Sequence, residues 1–357
     1  MTKIAKSRSS EKDETKYVKC LVWDLDNTLW SGVLLEDRGV ELRDNVTRVI
    51  KELDGRGILQ SIASKNDPAK AMAKLDELGL GEYFLYPQVN WNSKASSIKE
   101  IARLINIGLD TVAFIDDDPF ERGEVNHQLP DVLCVDAGEL DGLLDRAEMN
   151  PRFITEDSKQ RRLLYFHDIE RKKAEEEFIG PKDEFLATLG MKFSISRARE
   201  EDLRRAEELT LRTHQLNTTG YTYSYDELKG FLESDRHRLL IAGLEDKYGS
   251  YGKIGLALIE CDDRSWTLKL LLMSCRVMSR GVGTIMLNHV MALAKRAGCR
   301  LFAEFIPNEV NRLMYVTYKF AGFRESQKVG EKLVLENDLT RIQPAPDYVT
   351  LLLDDHG

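Results

Sequence analysis

The sequence has no long hydrophobic run. Its longest apolar stretches, residues 268–273 and 349–353, have the length of a β-strand, whereas a membrane-spanning helix needs about 20 apolar residues. The N-terminus, residues 1–17, is polar and lacks the apolar stretch of a signal peptide. We therefore expect a disordered leader at residues 1–17 and no association of the protein with a membrane.

Cysteine is scarce, and basic residues are outnumbered by acidic ones. The five cysteines are scattered and form no Cys-x-x-Cys pair or Cys/His cluster, which argues against a disulfide framework and a zinc site. Free thiols fit a reduced, cytoplasmic setting. The net charge of -9 argues against nucleic acid as a partner. It is still compatible with a local basic patch that binds an acidic protein.

With 357 residues, the chain is about twice the usual size of a domain, so we expect two domains. Residues 18–139 alternate strand-like with helix-like segments, which predicts a parallel α/β sheet with ligands at the carboxyl ends of its strands. Residues 140–184 are interpreted as a charged helical connector with recurring apolar residues. Residues 185–357 predict an α+β domain around a largely antiparallel sheet.

Two carboxylates follow the first strand-like run. Asp24 and Asp26 are two residues apart at the end of an apolar strand, so both side chains point to the same side. Neighbouring carboxylates repel each other unless a cation or a shared proton relieves them, which makes the pair a candidate site for Mg²⁺ and a phosphoryl group. A solvated, aspartate-rich turn is the alternative, and the pair alone does not decide between the two.

Further polar positions add to this candidate site. Ser64 follows an apolar run, and its hydroxyl could bind a phosphate oxygen. Lys94 begins a predicted helix, where its charge could neutralise a nucleophile and a phosphate together. Asp116 and Asp117 end a second apolar strand and offer further metal ligands. Taken singly, Ser64 is better explained as a turn serine and Lys94 as a surface lysine.

The chain carries, in this order, a D-x-D-x-T motif, a serine, a lysine and a strand that ends in two aspartates. This arrangement resembles the haloacid dehalogenase (HAD) phosphatase superfamily. The resemblance implies that Asp24 attacks phosphorus to form an aspartyl phosphate, while Asp26 acts as acid and base. It also implies Mg²⁺ as the cofactor, held by Asp24, Asp26 through its backbone carbonyl, Asp116 and Asp117. The residues implied to bind the substrate or its phosphate are Thr28, Ser64, Lys65, Asn66 and Lys94.

The segment Cys-Arg-Val-Met-Ser-Arg-Gly-Val-Gly, residues 275–283, connects a strand to a helix. Glycines at such a junction let backbone N–H groups reach a pyrophosphate. With the helical segment at 311–322, the junction resembles the GNAT acyltransferase fold, whose acyl-CoA loop begins with Arg or Gln. Met278 stands at that position here, which argues for a pantetheine-bearing ligand other than acetyl-CoA.

Cys275 differs from the other cysteines in its setting. It ends a strand-like run, directly before Arg276 and the glycine loop. A thiol near a helix N-terminus and a guanidinium has its thiolate favoured, so Cys275 is a candidate nucleophile. The alternative is a buried core cysteine. The cysteines in or beside strand-like runs are interpreted as structural: Cys20, Cys134, Cys261 and Cys299.

A dense polar run, residues 212–220, follows a predicted helix. His214 is a candidate general base for a thiol. Gln215 and Asn217 are candidates for binding the acyl hydroxyls or the oxyanion. The alternative is a helix-ending loop in which Thr, Asn and Gly bond their own backbone.

The chain as a whole resembles the FkbH-like family over essentially its whole length after the leader. The segments that carry this resemblance are the HAD-like residues 18–139, the helical connector, the Arg-Thr-His-Gln-Leu-Asn run and residues 274–283. The resemblance implies a HAD-like Rossmannoid domain fused to a GNAT-like domain. It implies an enzyme that takes glyceryl from 1,3-bisphosphoglycerate, holds it as a thioester on Cys275 beside Arg276, and loads it onto an acyl carrier protein in polyketide biosynthesis. Many relatives carry arginine in the segment where this chain has residues 219–224, Thr-Gly-Tyr-Thr-Tyr-Ser. We expect this difference to affect the choice of acyl group or the contact with the carrier protein.

Other classes of function remain open. A plain HAD phosphatase needs no reactive cysteine, a GNAT acetyltransferase needs acetyl-CoA, and a carrier-binding scaffold needs neither catalytic site. In the FkbH-like interpretation, the thiolate displaces the acyl phosphate and the ester phosphate is removed at Asp24, in an order that the sequence does not define. A lactyl or other small acyl group is an alternative to glyceryl.

Overall fold

The computed structural model describes residues 17–354. The chain divides into two compact units, Met1–Phe166 and His167–Gly357. The predicted leader lies outside the described residues except for Tyr17. The boundary between the units falls inside residues 140–184, the segment interpreted as a connector, and the domain limits drawn from the sequence stay predictions.

A parallel sheet forms the centre of the first unit. The strands of this unit are β1 (Cys20–Trp23), β2 (Trp30–Ser31), β3 (Glu41–Leu42), β4 (Leu59–Ser64), β5 (Gln88–Val89), β6 (Val112–Asp116) and β7 (Leu133–Asp136). The sheet has the order β5-β4-β1-β6-β7, while β2 and β3 pair with each other. Because β1 lies between β4 and β6, it is buried along its whole length, and its carboxyl end is in the middle of the ligand-binding edge.

Helices follow the strands of this sheet, and local sequence defines where they begin. Asp67 accepts a hydrogen bond from the Lys70 N–H before Pro68 in the first turn. Ser93 accepts from the Ser96 N–H, which places the following lysine in the first turn. The helices are α1 (Val46–Gly55), α2 (Pro68–Glu77), α3 (Lys94–Ile105), α4 (Pro119–Gln128), α5 (Glu156–Lys159) and α6 (Arg161–Glu177), which contains the boundary between the units.

The second unit is built around a larger, mostly antiparallel sheet. Its strands are β8 (Met191–Arg197), β9 (His237–Asp246), β10 (Gly249–Cys261), β11 (Ser265–Met273), β12 (Arg300–Phe305), β13 (Arg324–Val329), β14 (Lys332–Asn337) and β15 (Val349–Asp354). The order is β13-β14-β12-β11-β10-β9-β8-β15, with parallel pairing of β11 with β12 and of β8 with β15. The predicted fold class, a parallel α/β sheet followed by an α+β domain, is confirmed.

Both faces of this second sheet are covered by helices. Along β11, Leu271 and Met273 pack into a core with the helix Val282–Arg296, whereas Leu270 and Leu272 pack into a core with the helices Leu203–Arg212 and Tyr225–Leu232. This alternation follows from the two-residue period of a strand. The helices of the second unit are α7 (Lys182–Thr188), α8 (Leu203–Arg212), α9 (Tyr225–Leu232), α10 (Val282–Arg296) and α11 (Arg312–Phe320). None of the helices in residues 17–354 combines the length and apolarity that a membrane crossing requires.

Candidate active sites

Asp24 follows β1 in the middle of the parallel sheet. Its backbone N–H donates to the carbonyl of Ile115 in β6 at 3.0 Å, which continues the strand pairing by one residue. The register that pairs Trp23 with Ile115 therefore places Asp24 beside Asp116. Both side chains are buried. The two carboxylates that end separate strands in the sequence are thus neighbours in the structure.

Lys94 lies between these two carboxylates. Its Nζ atom is 2.5 Å from Asp24 Oδ1 and 2.6 Å from Asp116 Oδ2. Lys94 is only 5% exposed, so all three charges are removed from water. Buried charges are tolerated when they are paired, and removing one partner leaves an uncompensated charge. The lysine that begins α3 therefore contacts the predicted nucleophile directly.

Burial has the largest effect on the protonation of this group. It raises the pKa of Asp24 to about 6, a rise that Lys94 opposes and Asp116 supports. Burial also raises the pKa of Asp116 against the opposing charge of Lys94. Burial alone would lower the pKa of Lys94, but the two carboxylates outweigh it and the pKa is raised. One lysine thus leaves the carboxylates only partly neutralised, and a further cation would favour their charged forms.

Asp117 completes a set of three acidic side chains. Carboxylate oxygens of Asp24, Asp116 and Asp117 lie within 4.8 Å of one another, and oxygen donors of this kind suit Mg²⁺. Thr28 donates from Oγ1 to Asp117 Oδ1 at 3.1 Å and accepts from the Asp117 N–H at 2.9 Å. The donor set therefore fits the predicted cation. In this arrangement Thr28, which was predicted to bind substrate, supports Asp117.

Asp26 is held by three hydrogen bonds. Its Oδ1 atom accepts from Trp30 Nε1 at 2.8 Å and from the Leu34 N–H at 3.1 Å, and its Oδ2 atom accepts from Asn66 Nδ2 at 3.0 Å. These bonds fix the carboxylate in one orientation, as a general acid and base requires. The fully buried Asn66 thus contacts the predicted acid and base, which its place beside Ser64 in the sequence does not reveal.

The structure also places the residues after β4. Ser64 is the buried last residue of that strand and lies at the same sheet edge as Asp24. Lys65 was predicted to bind substrate. Its Nζ atom lies 2.5 Å from Glu121 Oε1 in the first turn of α4, so its charge is paired with a carboxylate.

In the second unit, a segment of the polar run lies between two strands. Residues 265–268 of β11 pair in parallel with residues 300–303 of β12. Farther along, the Met273 N–H donates to the carbonyl of Leu216 at 2.9 Å, and the Thr218 N–H donates to the carbonyl of Leu271 at 3.0 Å. On the other side, the Ile306 N–H donates to the carbonyl of Thr218 at 3.0 Å. Residues 216–218 thus fill the fork where β11 and β12 separate.

One bridge sets the register of this segment against β11. Asn217 forms an antiparallel bridge with Leu272. Counting three residues back from Asn217 and three forward from Leu272 reaches His214 and Cys275. Both are exposed and lie two residues beyond the bonded pair of Leu216 and Met273. Gln215 is exposed as well. The exposed residues His214, Gln215 and Cys275 thus each lie within two residues of the bonded pair of Leu216 and Met273.

Asn217 has a different environment. It is fully buried, and its Oδ1 atom accepts from the N–H groups of Thr219 and Gly220 at 3.1 and 2.9 Å. Its Nδ2 atom donates to the carbonyl of Tyr221 at 3.3 Å. These bonds match the alternative stated for this run, a loop after a helix in which polar side chains bond their own backbone. Asn217 therefore shapes the loop that presents the exposed residues before it.

Cys275 begins a short 3₁₀ turn that runs to Arg280. It is exposed, whereas Cys20 and Cys299 are buried and Cys134 and Cys261 are half-buried. Arg276 follows at once, and its Nε atom donates to Ser274 Oγ at 3.4 Å. Gly281 closes the turn with φ of 75°, a left-handed conformation that favours glycine, and α10 begins at the next residue. The exposed thiol is inconsistent with the core-cysteine alternative.

Comparisons with known proteins cover parts of the chain. No protein-family model and no curated protein match it. Among solved structures, the N-terminal part of protein BF1531 from Bacteroides fragilis, which contains a phosphatase domain and was crystallised with Mg, is 32% identical over 38% of this chain, with a TM-score of 0.33. This chain spans 41% of that structure's length.

Acetyltransferase structures are also similar to the chain. The ribosomal-protein-S18-alanine N-acetyltransferase from Escherichia coli is 18% identical and covers 43% of this chain and 97% of its own, with a TM-score of 0.33. A GNAT acetyltransferase from Streptococcus pneumoniae is 20% identical over 40% of this chain and 96% of its own, with the same TM-score. At these scores the similarities carry no argument about activity, which is argued below from the two sites.

Sequence reasoning missed three residues that shape these sites. Trp30 orients Asp26, Glu121 binds Lys65, and Thr218 bonds to both strands of the fork. A tryptophan in a short strand, a glutamate in the first turn of a helix and a threonine in a polar loop all have ordinary local explanations. The contacts of Glu121 and Thr218 bridge distant parts of the chain, and that of Trp30 depends on how the turn between β1 and β2 folds, so a single sequence carries no signal for them.

Proposed function

We propose that this protein transfers a small hydroxyacyl group, glyceryl in the first instance, from an acyl phosphate to the phosphopantetheine thiol of an acyl carrier protein. In the proposed reaction, Cys275 carries the acyl group as a thioester, and the site around Asp24 removes the ester phosphate. The observation that carries the proposal is an exposed Cys275 two residues beyond the bonded pair of Leu216 and Met273, from which the exposed His214 is also two residues away. The donor that supplies both phosphates is 1,3-bisphosphoglycerate.

The thiol site would carry out the acyl transfer. His214 takes the proton of Cys275, and the sulfur attacks the C1 carbonyl carbon of the donor. A carbon–sulfur bond forms, the bond from carbon to the phosphate oxygen breaks, and inorganic phosphate leaves. The carrier's thiol then attacks the thioester and takes the acyl group, and the Cys275 sulfur recovers a proton. The exposed Gln215 would donate to the oxyanion of either step.

The carboxylate site would remove the C3 phosphate. Asp24 attacks phosphorus, and Asp26 gives a proton to the departing alcohol oxygen as the phosphorus–oxygen bond breaks. Asp26 then takes a proton from the water that cleaves the aspartyl phosphate. Lys94 and the hydroxyl of Ser64 would hold the phosphoryl oxygens. Mg²⁺ on Asp24, Asp116 and Asp117, with the Asp26 backbone carbonyl, would neutralise charge on the phosphoryl group.

The alternatives fit the two sites less well. A plain phosphatase leaves unexplained why the chain exposes a thiol just after the strand that binds the segment following His214. In an acetyl-CoA enzyme, the pantetheine arm could pair with the backbone of β11 beside β12. Residues 216–218 already occupy that position, because their backbone bonds to Leu271 and Met273. A scaffold would need no buried Asp24–Lys94–Asp116 group, which is costly to maintain without a function.

The proposal is tested by peptide mass spectrometry after incubation with 1,3-bisphosphoglycerate and Mg²⁺. Wild type is expected to carry an acyl group on the peptide that contains Cys275, released by hydroxylamine as a thioester. Cys275→Ser should carry none, while Cys261→Ser, a matched change at a half-buried cysteine, should be acylated like wild type. An unmodified Cys275 in wild type, or acylation that persists in Cys275→Ser, would overturn the proposal.

A further inference from the structure

Glu121 has a buried carboxylate oxygen that nothing in the phosphatase chemistry uses. Its Oε1 atom is bound by Lys65 Nζ at 2.5 Å. Its Oε2 atom is buried and has no hydrogen-bond partner among residues 17–354. An acceptor that is buried without a partner is unfavourable, particularly on a charged group, so such an atom calls for an explanation.

The position of this carboxylate relates it to Asp24. Lys65 directly follows β4, and Glu121 is in the first turn of α4, which follows β6. In the sheet, β4 and β6 are the two neighbours of β1. The Lys65–Glu121 pair therefore lies across the carboxyl end of β1, where Asp24 is located. The unused acceptor is therefore at the sheet edge where, under the proposed function, Asp24 would bind a phosphorylated substrate.

We propose that Glu121 Oε2 accepts a hydrogen bond from a substrate hydroxyl on the carbon next to the phosphorylated carbon. This inference rests on the proposed phosphatase function of Asp24 and names its substrate class, vicinal hydroxy phosphate esters. Lys65 fixes the carboxylate through Oε1, which leaves Oε2 available for the hydroxyl. A hydroxyl is the complementary group because it donates to a carboxylate without adding charge. Glu121 thus acts as a specificity residue.

Two esters that differ by one hydroxyl test this assignment. The first is 3-phosphoglycerate, and the second is its 2-deoxy analogue, 3-phosphonooxypropanoate. A hydrogen bond to a charged acceptor is expected to favour the hydroxylated ester by about 10- to 100-fold in kcat/KM of wild type with Mg²⁺. Glu121→Ala should reduce this ratio to about 1, and Glu121→Gln, which preserves shape, to about 2- to 10-fold.

Glu124→Ala is the matched control, because Glu124 lies one turn along the same helix and bonds to Gln128. This variant should keep the wild-type ratio. A wild-type ratio near 1, or an unchanged ratio in both the alanine and the glutamine variants of Glu121, would overturn the inference. If Glu121→Ala does not fold, the glutamine variant and the wild-type ratio decide.

A binding measurement separates this inference from the proposed function. In an Asp24→Asn background, calorimetry should show tighter binding of 3-phosphoglycerate than of the deoxy analogue, and the added Glu121→Gln change should reduce the difference. If wild type hydrolyses neither ester, the phosphatase function fails and calorimetry still decides the role of Glu121. If both esters are hydrolysed and bound equally, the phosphatase function stands and the hydroxyl contact is refuted.

Discussion

At the scale of single residues, Asp24, Lys94 and Asp116 form a buried group of two acids and one base. Lys94 Nζ contacts one oxygen of each carboxylate, so two negative charges share one positive charge. Burial raises the pKa of Asp24 to about 6; repulsion from Asp116 adds to this rise, and Lys94 opposes it. A nucleophilic carboxylate must be ionised, so further positive charge at this site would extend the ionised form of Asp24 to lower pH.

This raised pKa makes the effect of Mg²⁺ on stability depend on pH. Between its ordinary value of 3.8 and about 6, the buried Asp24 binds more protons in the folded than in the unfolded protein. Its contribution to the free energy of unfolding therefore falls as pH rises through this window. Above the window, the folded protein bears the full cost of burying the ionised carboxylate. Because Mg²⁺ binds the ionised form, we expect Mg²⁺ to raise the melting temperature clearly at about pH 7.5 and hardly at about pH 5.

Differential scanning fluorimetry with and without Mg²⁺ measures this effect. Asp44→Asn, a change at an exposed aspartate, should behave like wild type, whereas Asp24→Asn should lose most of the dependence on pH. A Mg²⁺ effect of equal size at both pH values in wild type would refute this electrostatic description.

The sequence predicted the charged residues better than their supports. Asp24, Lys94 and Asp116 were predictable because Asp24 follows β1, Lys94 begins α3 and Asp116 ends β6, each at a motif position. The bonds from Trp30 and Asn66 to Asp26 were not foreseeable, since they depend on how the turn after β1 folds against the loop after β4. The polarity of Asn217 predicts a substrate ligand, but polarity alone does not reveal whether a residue is buried. The structure places Asn217 inside its own loop.

At the scale of elements, the fork between β11 and β12 determines where the thiol is presented. Thr218 is fully buried there and bonds to both strands through its backbone. Its hydroxyl oxygen also accepts from the Leu271 N–H at 3.0 Å. The fork residues were predicted only as a polar run after a helix, because hydrophobic periodicity does not indicate that a loop enters a sheet.

Replacing the Thr218 hydroxyl should loosen this arrangement. In Thr218→Val the Leu271 N–H loses an acceptor inside the core, which we expect to lower the free energy of unfolding by about 1–3 kcal/mol. Urea unfolding followed by circular dichroism measures the loss. Thr350→Val, at an exposed position of β15, should change stability by less than about 0.5 kcal/mol.

The same variant should also slow acylation of Cys275, because the segment that carries His214 is no longer fixed to β11. Equal stability of the Thr218 and Thr350 variants would show that the hydroxyl does not anchor the segment. Normal acylation in a clearly destabilised Thr218→Val protein would show that the Thr218 hydroxyl stabilises the fold but does not affect acylation of Cys275.

At the scale of the whole molecule, the two chemistries belong to separate compact units. The carboxylate site lies within Met1–Phe166 and the thiol site within His167–Gly357. Two fold classes in one chain were predictable from length and from the change in strand and helix pattern. The boundary inside α6 was not predictable, since a continuous helical pattern does not tell which turns pack on which unit.

The central claim is that both sites act on one acyl group, and the phosphate content of the Cys275 adduct tests it most directly. After incubation with 1,3-bisphosphoglycerate and Mg²⁺, peptide mass spectrometry should find glyceryl on Cys275 of wild type and phosphoglyceryl, heavier by one phosphoryl group, on Cys275 of Asp24→Asn. Restoring phosphatase activity by adding the Cys275→Ser protein should convert the second adduct into the first. Identical adducts in wild type and Asp24→Asn would contradict the claim, because the carboxylate site would then have no part in processing the acyl group.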